Sequence, residues 1–392
     1  MSDRKKKVLI VHNYYQIPGG EDTVVANEKK LLEDNGHKVL LYTRHNSELK
    51  SLSKIQKILL PVSTIFNIQT YREIKKIIGE EQIDIVHVHN TLNLISPSVY
   101  YSAFSCRVPV VQTIHNFRLL CPGATLYRDD HICEDCVTKG LICAVKHNCY
   151  RGSKLHTLAC VISTWFHRLI GTYKKLNYIC LTEFNKEKLL QLKQIRKEAV
   201  FVKPNFVDKA DEIVPYDKRK KQFVYVGRLD KLKGIDFLLK TWGEFVSDDY
   251  QLVICGTGPL EKWCREYVQT YQLKNVEVKG FVENKNAKKI IGESKGLILP
   301  TQWYEGFPMT IVESYSVGTP VIGSNLGNTG SLIEEGKSGW KFDADSKEQL
   351  CDALRKAMET TKGLERDFVE KYSAESNYEQ LREIYETCCN HN

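Results

Sequence analysis

The chain has 392 residues, of which 42% are hydrophobic and 27% are charged, and its mean hydropathy is -0.35. This length suggests two domains or one large domain, and no stretch approaches the roughly 20 apolar residues of a membrane span. The net charge of +8 favours anionic partners, among which nucleic acid ranks last because no nucleic-acid motif is present. The first apolar run, 8–11, is far too short for a secretion signal. We therefore expect a cytoplasmic protein that is at most peripheral on the inner face of a membrane.

The N-terminal half alternates short Val- and Ile-rich runs with helical patterns such as 23–35. Short apolar runs of this kind predict parallel strands that are buried on both faces. The predicted strands are 8–12, 39–42, 83–89, 108–114, 178–182 and 199–202. The alternation predicts a doubly wound α/β sheet.

A polar stretch, 204–221, interrupts this pattern and is the predicted linker. The alternation then resumes with predicted strands at 223–226, 252–255, 276–278, 297–299 and 321–323. We therefore expect domains at 1–204 and 205–372, followed by a last helix, about 374–387, in the terminal segment 373–392. Two such domains would face each other across a cleft at the carboxyl ends of their strands, where ligands bind in this architecture.

Glycines and histidines mark the strand ends of the first domain. Gly19 and Gly20 can bring backbone N–H groups close to a phosphate, although an ordinary glycine turn also explains them. The acidic Glu21 and Asp22 that follow fit helix capping as well as they fit a binding loop. His115 stands where a predicted strand leaves the sheet and is the leading histidine candidate for the site. The two histidines within the strand 83–89 are expected to pack or to line the cleft.

A cysteine-rich insert occupies 121–149. Within it, a C-x2-C pair and further thiols could bind one tetrahedral Zn²⁺ as a structural ion. The preferred ligands are Cys121, Cys133, Cys136 and Cys149, with Cys143 spare. The alternative is a loop of reduced, unliganded thiols, which a reducing compartment also permits. The position of the insert, beside the expected cleft, suggests a role in recognising a ligand there.

The segment 151–178 combines a broad apolar face with Lys and Arg. It could lie on an anionic membrane and meet a lipid-linked acceptor. The pattern is also common in helices that pack into a core and expose a basic face. We favour the core helix.

The second domain carries basic and glycine-rich loops at its strand ends. Arg228 and Lys233 follow the first strand and can neutralise a diphosphate leaving group. Gly256 and Gly258 follow the next strand, where they would let a nucleotide approach the backbone. Pro308 is suited to the first turn of a helix 308–317 that Gly318 ends. The start of that helix is a ready anion site.

The stretch 299–323, LPTQWYEGFPMTIVESYSVGTPVIG, resembles the E-x7-E signature of the family-4 retaining glycosyltransferases, which adopt the GT-B fold. EGFP and GTPVIG stand at the usual distance, and G-R-L-x-x-x-K-G, 227–234, matches that family's donor-phosphate motif. The resemblance implies two Rossmann-like domains, with a C-terminal helix that crosses back onto the first. It also implies that Glu313 binds the ribose, that Glu305 contacts the transferred sugar and that His115 contacts the donor sugar. Many relatives have His-Asp where this chain has His115-Asn116, which leaves acceptor handling open.

The implied function is retaining transfer from a nucleotide-diphosphate sugar, with a UDP-sugar favoured, to a glycan or lipid-linked acceptor. Bacterial surface-polysaccharide synthesis is the expected context. No cofactor is expected to be required for catalysis, and the zinc considered above would be structural only. The expected catalytic residues are Arg228, Lys233, Glu305 and His115. The expected donor-binding residues are Gly19, Gly20, Gly227, Gly256, Gly258, Phe281, Val282, Gly306, Phe307, Pro308, Met309, Thr310 and Glu313.

Two alternatives stay open. One is a GT-B epimerase or phosphorylase, the latter acting with free phosphate in place of a nucleotide. The other is a non-catalytic subunit that binds a nucleotide sugar. The presence of both basic residues and both glutamates argues against the second.

Overall fold

The computed structural model describes residues 4–16, 19–210, 212–245 and 249–390. The chain divides into two compact units. Unit 1 comprises Met1–Pro204 and Tyr378–Asn392, and unit 2 comprises Asn205–Asn377. The division falls at the start of the predicted linker.

Unit 1 is built on a six-stranded parallel sheet of strand order β2-β1-β3-β4-β7-β8. Its elements in chain order are β1 Lys7–Tyr14, α1 Gly20–Asp34, β2 Lys38–His45, α2 Glu48–Ser51, α3 Lys54–Ile65, α4 Ile68–Glu81, β3 Ile85–Asn90, α5 Ser98–Ser105, β4 Val110–Ile114, β5 Tyr127–Arg128, β6 His131–Ile132, α6 Asp135–Thr138, α7 Ile142–Lys146, α8 Lys154–Leu169, β7 Asn177–Cys180, α9 Glu183–Leu190 and β8 Val200–Val202. Strands β5 and β6 form a small antiparallel hairpin within the cysteine-rich insert.

Unit 2 has a second six-stranded parallel sheet, of order β11-β10-β9-β12-β13-β14. Its elements are β9 Gln222–Val226, α10 Ile235–Glu244, β10 Gln251–Cys255, α11 Glu261–Thr270, β11 Val276–Gly280, α12 Asn284–Gly292, β12 Gly296–Leu299, α13 Met309–Ser316, β13 Val321–Ser324, α14 Gly327–Leu332, β14 Gly339–Phe342, α15 Lys347–Glu359 and α16 Arg366–Lys371. The expectation of two doubly wound α/β sheets is confirmed.

A last helix, α17, spans Ala374–Asn390 and passes from unit 2 into unit 1. Its residues Leu381, Ile384 and Tyr385 are buried with Val8 and Ile10 of β1 in one hydrophobic cluster. The residues of α17 from Tyr378 onward are therefore an integral part of the unit 1 core. This agrees with the expectation that the C-terminal helix, in the segment 373–392, packs back on the first domain.

Helix α13 begins one residue later than predicted. Pro308 has φ -75° and ψ 93°, an extended conformation that places it before the first helical residue, Met309. The Pro308 carbonyl accepts the Ile311 N–H at 3.0 Å, so the proline caps the helix. Gly318, with φ +70°, follows the end of the helix, as expected for a left-handed stop.

The expectation that 151–178 forms a core helix with a basic outer face is wrong. Helix α8 buries its smaller and polar residues, among them Thr157, Ser163, Thr164 and His167. It exposes large apolar side chains instead, including Leu155, Trp165 and Leu169. Helical periodicity is the same whether the apolar face points inward or outward, so the sequence pattern could not separate the two cases.

Helices long and apolar enough to cross a bilayer are absent from the described ranges of the chain.

Candidate functional site

The loop after β9 presents two basic side chains in different environments. Its short 3-10 helix, Lys231–Lys233, is capped by Asp230, whose Oδ1 accepts the Lys233 N–H at 3.0 Å. Arg228 has an exposed side chain whose Nε lies 3.1 Å from Asp230 Oδ2. The Tyr225 hydroxyl donates to the Arg228 carbonyl at 2.8 Å, which fixes the backbone beneath the guanidinium. The guanidinium is thus exposed to solvent beside the Asp230 carboxylate, on a backbone that the Tyr225 hydroxyl fixes.

Two strand-end loops of unit 2 approach each other backbone to backbone. Gly256 has φ +149°, and a Cβ there would lie 1.8 Å from the Gly227 carbonyl oxygen. A Cβ on Gly258 would lie 2.4 Å from the carbonyl oxygen of Leu229. The glycines are therefore required by close packing of the loops. The sequence alone suggested only that these glycines let a nucleotide approach the backbone.

These loops line a cavity of about 470 Å³. Five of the predicted donor-site residues and Arg228 lie on its wall, and Phe281 projects 77% exposed at this place. The lining includes Gly227, Arg228, Gly256, Gly258, Phe281 and Val282. The strand ends thus bring together residues that are separated by more than 50 positions in the sequence.

The predicted catalytic pair Lys233 and Glu305 is in direct contact. Lys233 Nζ lies 2.6 Å and 2.8 Å from the two Glu305 oxygens. Thr301 Oγ1 donates to Glu305 Oε1 at 3.0 Å, and only 5% of Glu305 is exposed. Asn328 of α14 donates its Nδ2–H groups to the carbonyls of Glu305 and Gly306, at 2.6 Å and 2.7 Å. The carboxylate is therefore held on a braced loop with its charge compensated.

The first turn of α13 carries the remaining predicted donor residues. Met309 and Thr310 open the helix, directly after Gly306, Phe307 and Pro308, and this turn has no acidic residue. Glu313, one turn later, accepts a hydrogen bond from Asn284 Nδ2 of α12 at 2.8 Å. The first N–H groups of an α-helix have no i−4 partner within the helix, which makes this turn suited to an anion.

Unit 1 holds a buried chain of histidines at the ends of β1, β3 and β4. The rings of His87 and His89 stack with their centroids 4.5 Å apart, and His89 stacks on His115 at 5.2 Å. His89 Nδ1 lies 2.9 Å from His115 Nε2. Burial and the neighbouring histidines lower the pKa of His115 well below its ordinary value, and burial lowers that of His89 to about 4. Both rings are therefore neutral at physiological pH and able to accept or donate hydrogen bonds.

Glu28 of α1 anchors this chain, although sequence reasoning did not single it out. Its oxygens lie 2.8 Å from His87 Nδ1 and 3.1 Å from Lys203 Nζ. Burial alone would raise the pKa of Glu28, but Lys203 and His87 outweigh it and hold the pKa well below its ordinary value. The available signal was an acidic residue within the stripe of Val24, Val25, Leu31 and Leu32, where a carboxylate needs a partner.

Glu28, His87 and His89 also form the one group of three potential metal-ligand atoms within 4.8 Å of one another in the described part of the chain. The Lys203 ammonium already compensates the Glu28 charge. A second cation at the same carboxylate would meet electrostatic repulsion. The contacts therefore favour an ion-pair network over a metal centre here.

His115 lines a small cavity of about 90 Å³ in unit 1. The wall opposite the strand ends comes from the inner faces of two helices, with Thr64 from α3 and Ser163 and Thr164 from α8. Gln112, inside the sheet, donates through Nε2 to the His89 carbonyl at 3.0 Å. The cavity is thus polar on both sides.

Gly19 and Gly20 open α1, and their acidic neighbours are committed to the protein itself. Asp22 Oδ2 accepts the Gly19 N–H at 3.0 Å, and Asp22 Oδ1 lies 2.7 Å from His12 Nε2. Glu21 accepts a hydrogen bond from the Tyr15 hydroxyl at 3.0 Å. Burial raises the pKa of Glu21 to about 8. Of the two interpretations left open by the sequence, these contacts favour capping.

The predicted zinc ligands lie in one neighbourhood but do not converge as ligands. The Cys136 thiol lies close enough to Cys121 to lower the pKa of the Cys121 thiol, and a Cβ on Gly123 would lie 3.4 Å from Cys149 Cβ and 3.6 Å from Cys121 Sγ. No three of the four thiols of Cys121, Cys133, Cys136 and Cys149, all within the described ranges, lie within 4.8 Å of one another. A metal would have to draw them together.

Two family models match the chain. The model described as Glycosyltransferase Family 4 matches residues 18–211, and the one described as Glycosyl transferases group 1 matches residues 207–374. Together they cover nearly the whole sequence. The E-x7-E and G-R-L-x-x-x-K-G motifs both fall inside the second match.

Curated relatives are distant in sequence. A human protein that is one subunit of phosphatidylinositol N-acetylglucosaminyltransferase is 23% identical over 88% of this chain, and the chain spans 66% of that protein. An uncharacterized 41.2 kDa protein in the cps region of Klebsiella pneumoniae is 22% identical over 88% of each chain. An uncharacterized glycosyltransferase of Methanocaldococcus jannaschii is 23% identical over 68% of this chain, and the chain spans 64% of that protein.

Solved structures share the fold over almost the full length. The lipopolysaccharide outer core galactosyltransferase WaaB in its apo form superposes with a TM-score of 0.69 at 17% identity, covering 97% of this chain and 99% of that one. The Anabaena HepE structure in complex with UDP and glucose gives a TM-score of 0.62 at 14% identity, covering 97% and 100%. These likenesses establish the GT-B fold. With the two family matches, they show that the chain belongs to glycosyltransferase family 4, the glycosyl transferases group 1.

Proposed function

We propose that the protein is a retaining glycosyltransferase that moves a sugar from a nucleotide-diphosphate sugar to a glycan or lipid-linked acceptor. The observation that carries this proposal is the placement of Lys233 against Glu305, in the same unit as the glycine-lined cavity that Arg228 borders. A cation, a carboxylate and open backbone N–H groups suit a phosphorylated, polyhydroxylated ligand. A UDP-sugar is the favoured donor, supported by the UDP bound in the HepE structure.

In this proposal unit 2 binds the donor. Gly227, Gly256, Gly258, Phe281 and Val282 surround the nucleotide, and Glu313 binds the ribose hydroxyls. The diphosphate lies near Arg228 and Lys233 and at the first turn of α13, with Thr310 as a further donor. Gly306, Phe307, Pro308 and Met309 shape this turn. Because the Gly19 N–H already donates to Asp22 Oδ2, the Gly20 N–H is the one of this glycine pair that we propose for the donor.

In the proposed reaction, transfer depends on stabilising the negative charge that develops on the diphosphate leaving group. Breaking the sugar–phosphate bond builds negative charge on the diphosphate, which Arg228 and Lys233 stabilise. The acceptor hydroxyl attacks from the face the diphosphate leaves, and the departing phosphate takes its proton, so no protein base is required. Glu305 holds the transferred sugar, while the neutral imidazole of His115 hydrogen-bonds a sugar hydroxyl. The two cations supply the positive charge that a metal ion would otherwise provide.

We further propose that Cys121, Cys133, Cys136 and Cys149 bind a structural zinc ion that orders the insert. The support is the C-x2-C spacing, the Cys121–Cys136 contact and the nearby Cys149. Metal analysis of protein purified without chelator tests this. We expect zinc in the wild type and in Cys143→Ser, and its loss in Cys136→Ser. Wild-type protein without zinc would contradict the assignment.

The cellular setting is proposed as the cytoplasm, peripherally at the inner membrane face, in the synthesis of a bacterial surface polysaccharide. The Klebsiella pneumoniae relative from a cps region supports this setting. Unit 1 is the proposed acceptor-binding unit, and its cysteine-rich insert contributes to acceptor recognition.

The nucleotide-binding and turnover measurements described below also test two other functions. A GT-B epimerase or a phosphorylase would not need the insert, and a phosphorylase would respond to free phosphate. A non-catalytic subunit would bind the nucleotide sugar and turn nothing over. The Lys233–Glu305 contact favours the transferase, because a binding subunit has no need of a compensated charge pair there.

A thermal-shift panel of UDP, GDP, ADP and their sugars tests the donor site. We expect a selective rise in melting temperature that Glu313→Ala abolishes and that Glu266→Ala, on the exposed face of α11, preserves. Arg228→Ala should then lower turnover by roughly 10²–10³-fold, whereas Lys231→Ala should not. No shift with any nucleotide would refute the proposal, and a shift with phosphate alone would favour the phosphorylase.

A further inference from the structure

Helices α3 and α8 form one continuous apolar surface on unit 1. The two helices pack together: Ser163 Oγ donates to the Thr64 carbonyl at 3.2 Å, and His167 Nε2 lies 2.9 Å from the Ile65 carbonyl. Their outward side chains are large and hydrophobic, with exposed fractions between 37% and 70%. We call this the α3/α8 surface, and its apolar members are Ile55, Leu59, Val62, Leu155, Leu158, Ile162, Trp165, Phe166, Leu169 and Ile170.

The polarity of α8 is inverted relative to an ordinary surface helix. Its buried positions include Thr157, Ser163, Thr164 and His167, while Trp165 and its apolar neighbours face outward. A monomeric soluble protein rarely exposes a contiguous apolar patch of this kind, and such patches mark contact with a partner or a membrane. The hydrophobic cluster around β1 and α17 is built by other elements, and Val161 of α8 packs in the smaller cluster of the cysteine-rich insert.

Charge identifies the partner. The sequence has no Asp or Glu between Glu48 and Glu73, or between Asp135 and Glu183, the two stretches that contain α3 and α8. Exposed cations flank the apolar side chains within the same stretches: Lys50, Lys54, Arg151, Lys154, Lys174 and Lys175. An apolar face that includes Trp, bordered by Lys and Arg and free of carboxylates, matches the interface of an anionic bilayer.

We infer that the α3/α8 surface docks on an anionic phospholipid bilayer, with its apolar side chains entering the headgroup region. The exposure of the patch and its charge both lead to this occupant. A protein partner would not require the absence of acidic residues over two separate stretches of sequence.

The same two helices connect this surface to the cavity at His115. Thr64 of α3 and Ser163 and Thr164 of α8 line that cavity from the inner side of the helices. Docking would therefore place the cavity one helix layer from the lipid. This deepens the proposed function, on which it rests in part, by selecting a lipid-linked acceptor over a free glycan.

Vesicle flotation tests the inference. We expect the full-length protein to float with vesicles of phosphatidylcholine and phosphatidylglycerol, and more weakly with phosphatidylcholine alone or at high salt. The double variant Trp165→Glu/Leu169→Glu should lose binding at least 10-fold. The control Tyr271→Glu, which replaces an exposed aromatic residue of unit 2, should float like the wild type. An unchanged melting temperature and nucleotide shift verify that the double variant is folded.

Three results would overturn the inference. One is the absence of vesicle binding by the wild type. Another is equal binding by the double variant. The third is a wild-type dimer that the double variant dissociates, without vesicle binding, since this would make the surface an interface between copies. Vesicle binding without any nucleotide shift would refute the proposed function and leave the docking surface standing.

Discussion

Breaking the contact between Lys233 and Glu305 is the sharpest perturbation of unit 2. Glu305→Gln removes one charge but keeps an oxygen for the hydrogen bond from Thr301 Oγ1, 3.0 Å away. Lys233→Met removes the other charge and keeps most of the side-chain volume. Lys231→Met is the matched control, because Lys231 lies on the same 3-10 helix and is exposed. The double variant completes a thermodynamic cycle that isolates the pair.

The geometry sets the expected coupling. At 2.6 Å and 2.8 Å between Nζ and the carboxylate oxygens, Coulomb attraction at an effective dielectric near 20 is on the order of 5 kcal/mol. Lys233 is a quarter exposed and Glu305 is buried, so lost hydration and fixed rotamers offset part of this attraction. We expect a net coupling of about 2 kcal/mol, above the ~0–1 kcal/mol that is usual for exposed pairs.

Urea unfolding of the four proteins at pH 7 measures the coupling free energy. The control should stay within about 0.5 kcal/mol of the wild type. A coupling below about 0.5 kcal/mol would show that the pair is incidental, and would refute the argument that Glu305 needs a compensating cation. Turnover adds a second measure: since Lys233 is proposed to serve the diphosphate, both single variants should be slow, whereas a donor site that uses neither residue would leave both near normal.

Three further predictions concern single sites. Gly256→Ala places a Cβ 1.8 Å from a carbonyl oxygen of the neighbouring loop and should cost about 3 kcal/mol or more of unfolding free energy. The control Gly336→Ala, also at positive φ but in open space, should cost about 1–2 kcal/mol. Equal losses of unfolding free energy in the two variants would contradict the clash. Glu28→Gln removes the charge of a buried carboxylate that lies 3.1 Å from the Lys203 ammonium and should cost about 3–5 kcal/mol, so a chemical-denaturation loss below about 1 kcal/mol would disprove the ion pair. The folded-state pKa of Glu21, about 8, lies above its ordinary value of 4.5. The stability that comes from its protonation is therefore fully present below pH 4.5 and is lost as pH rises through 8. The free energy of unfolding should fall by on the order of 2–3 kcal/mol between pH 5 and 7, and Glu21→Gln should flatten that slope in pH-dependent unfolding.

Much of the architecture could be predicted because buried parallel strands have a strong local signal. The Val- and Ile-rich runs of β1, β3 and β9 were placed correctly, with ends shifted by up to two residues. The two-residue strands β5 and β6 were missed, since very short elements depend on pairing rather than on their own residues. The final strand β14 was also missed, because its sequence Gly-Trp-Lys-Phe lacks the Val and Ile that indicated the other strands. Pro308 was placed inside a helix because its φ is compatible with one, whereas its ψ depends on the loop before it.

The candidate site was predictable where a motif lies on a single loop. Arg228 and the glycines that line the unit 2 cavity were identified in this way. The ligand that they bind remains a prediction. The pair of Glu28 and Lys203 was not identified, because the partners lie 175 positions apart and only the tertiary fold joins them. The outward face of α8 was misjudged for a related reason, since periodicity gives the width of an apolar face but not its direction.

The passage of α17 back into unit 1 has a consequence for the order of folding. Unit 2 is one continuous stretch of chain and has all its strands before α17 is synthesised. The sheet of unit 1 is made first, yet its hydrophobic cluster lacks Leu381, Ile384 and Tyr385 until α17 has been made. During translation the first half must therefore wait, with part of its apolar surface uncovered, until the second half has been made. A ribosome that stalls late would leave a folded unit 2 attached to an unfinished unit 1, which is the species that chaperones would be expected to recognise.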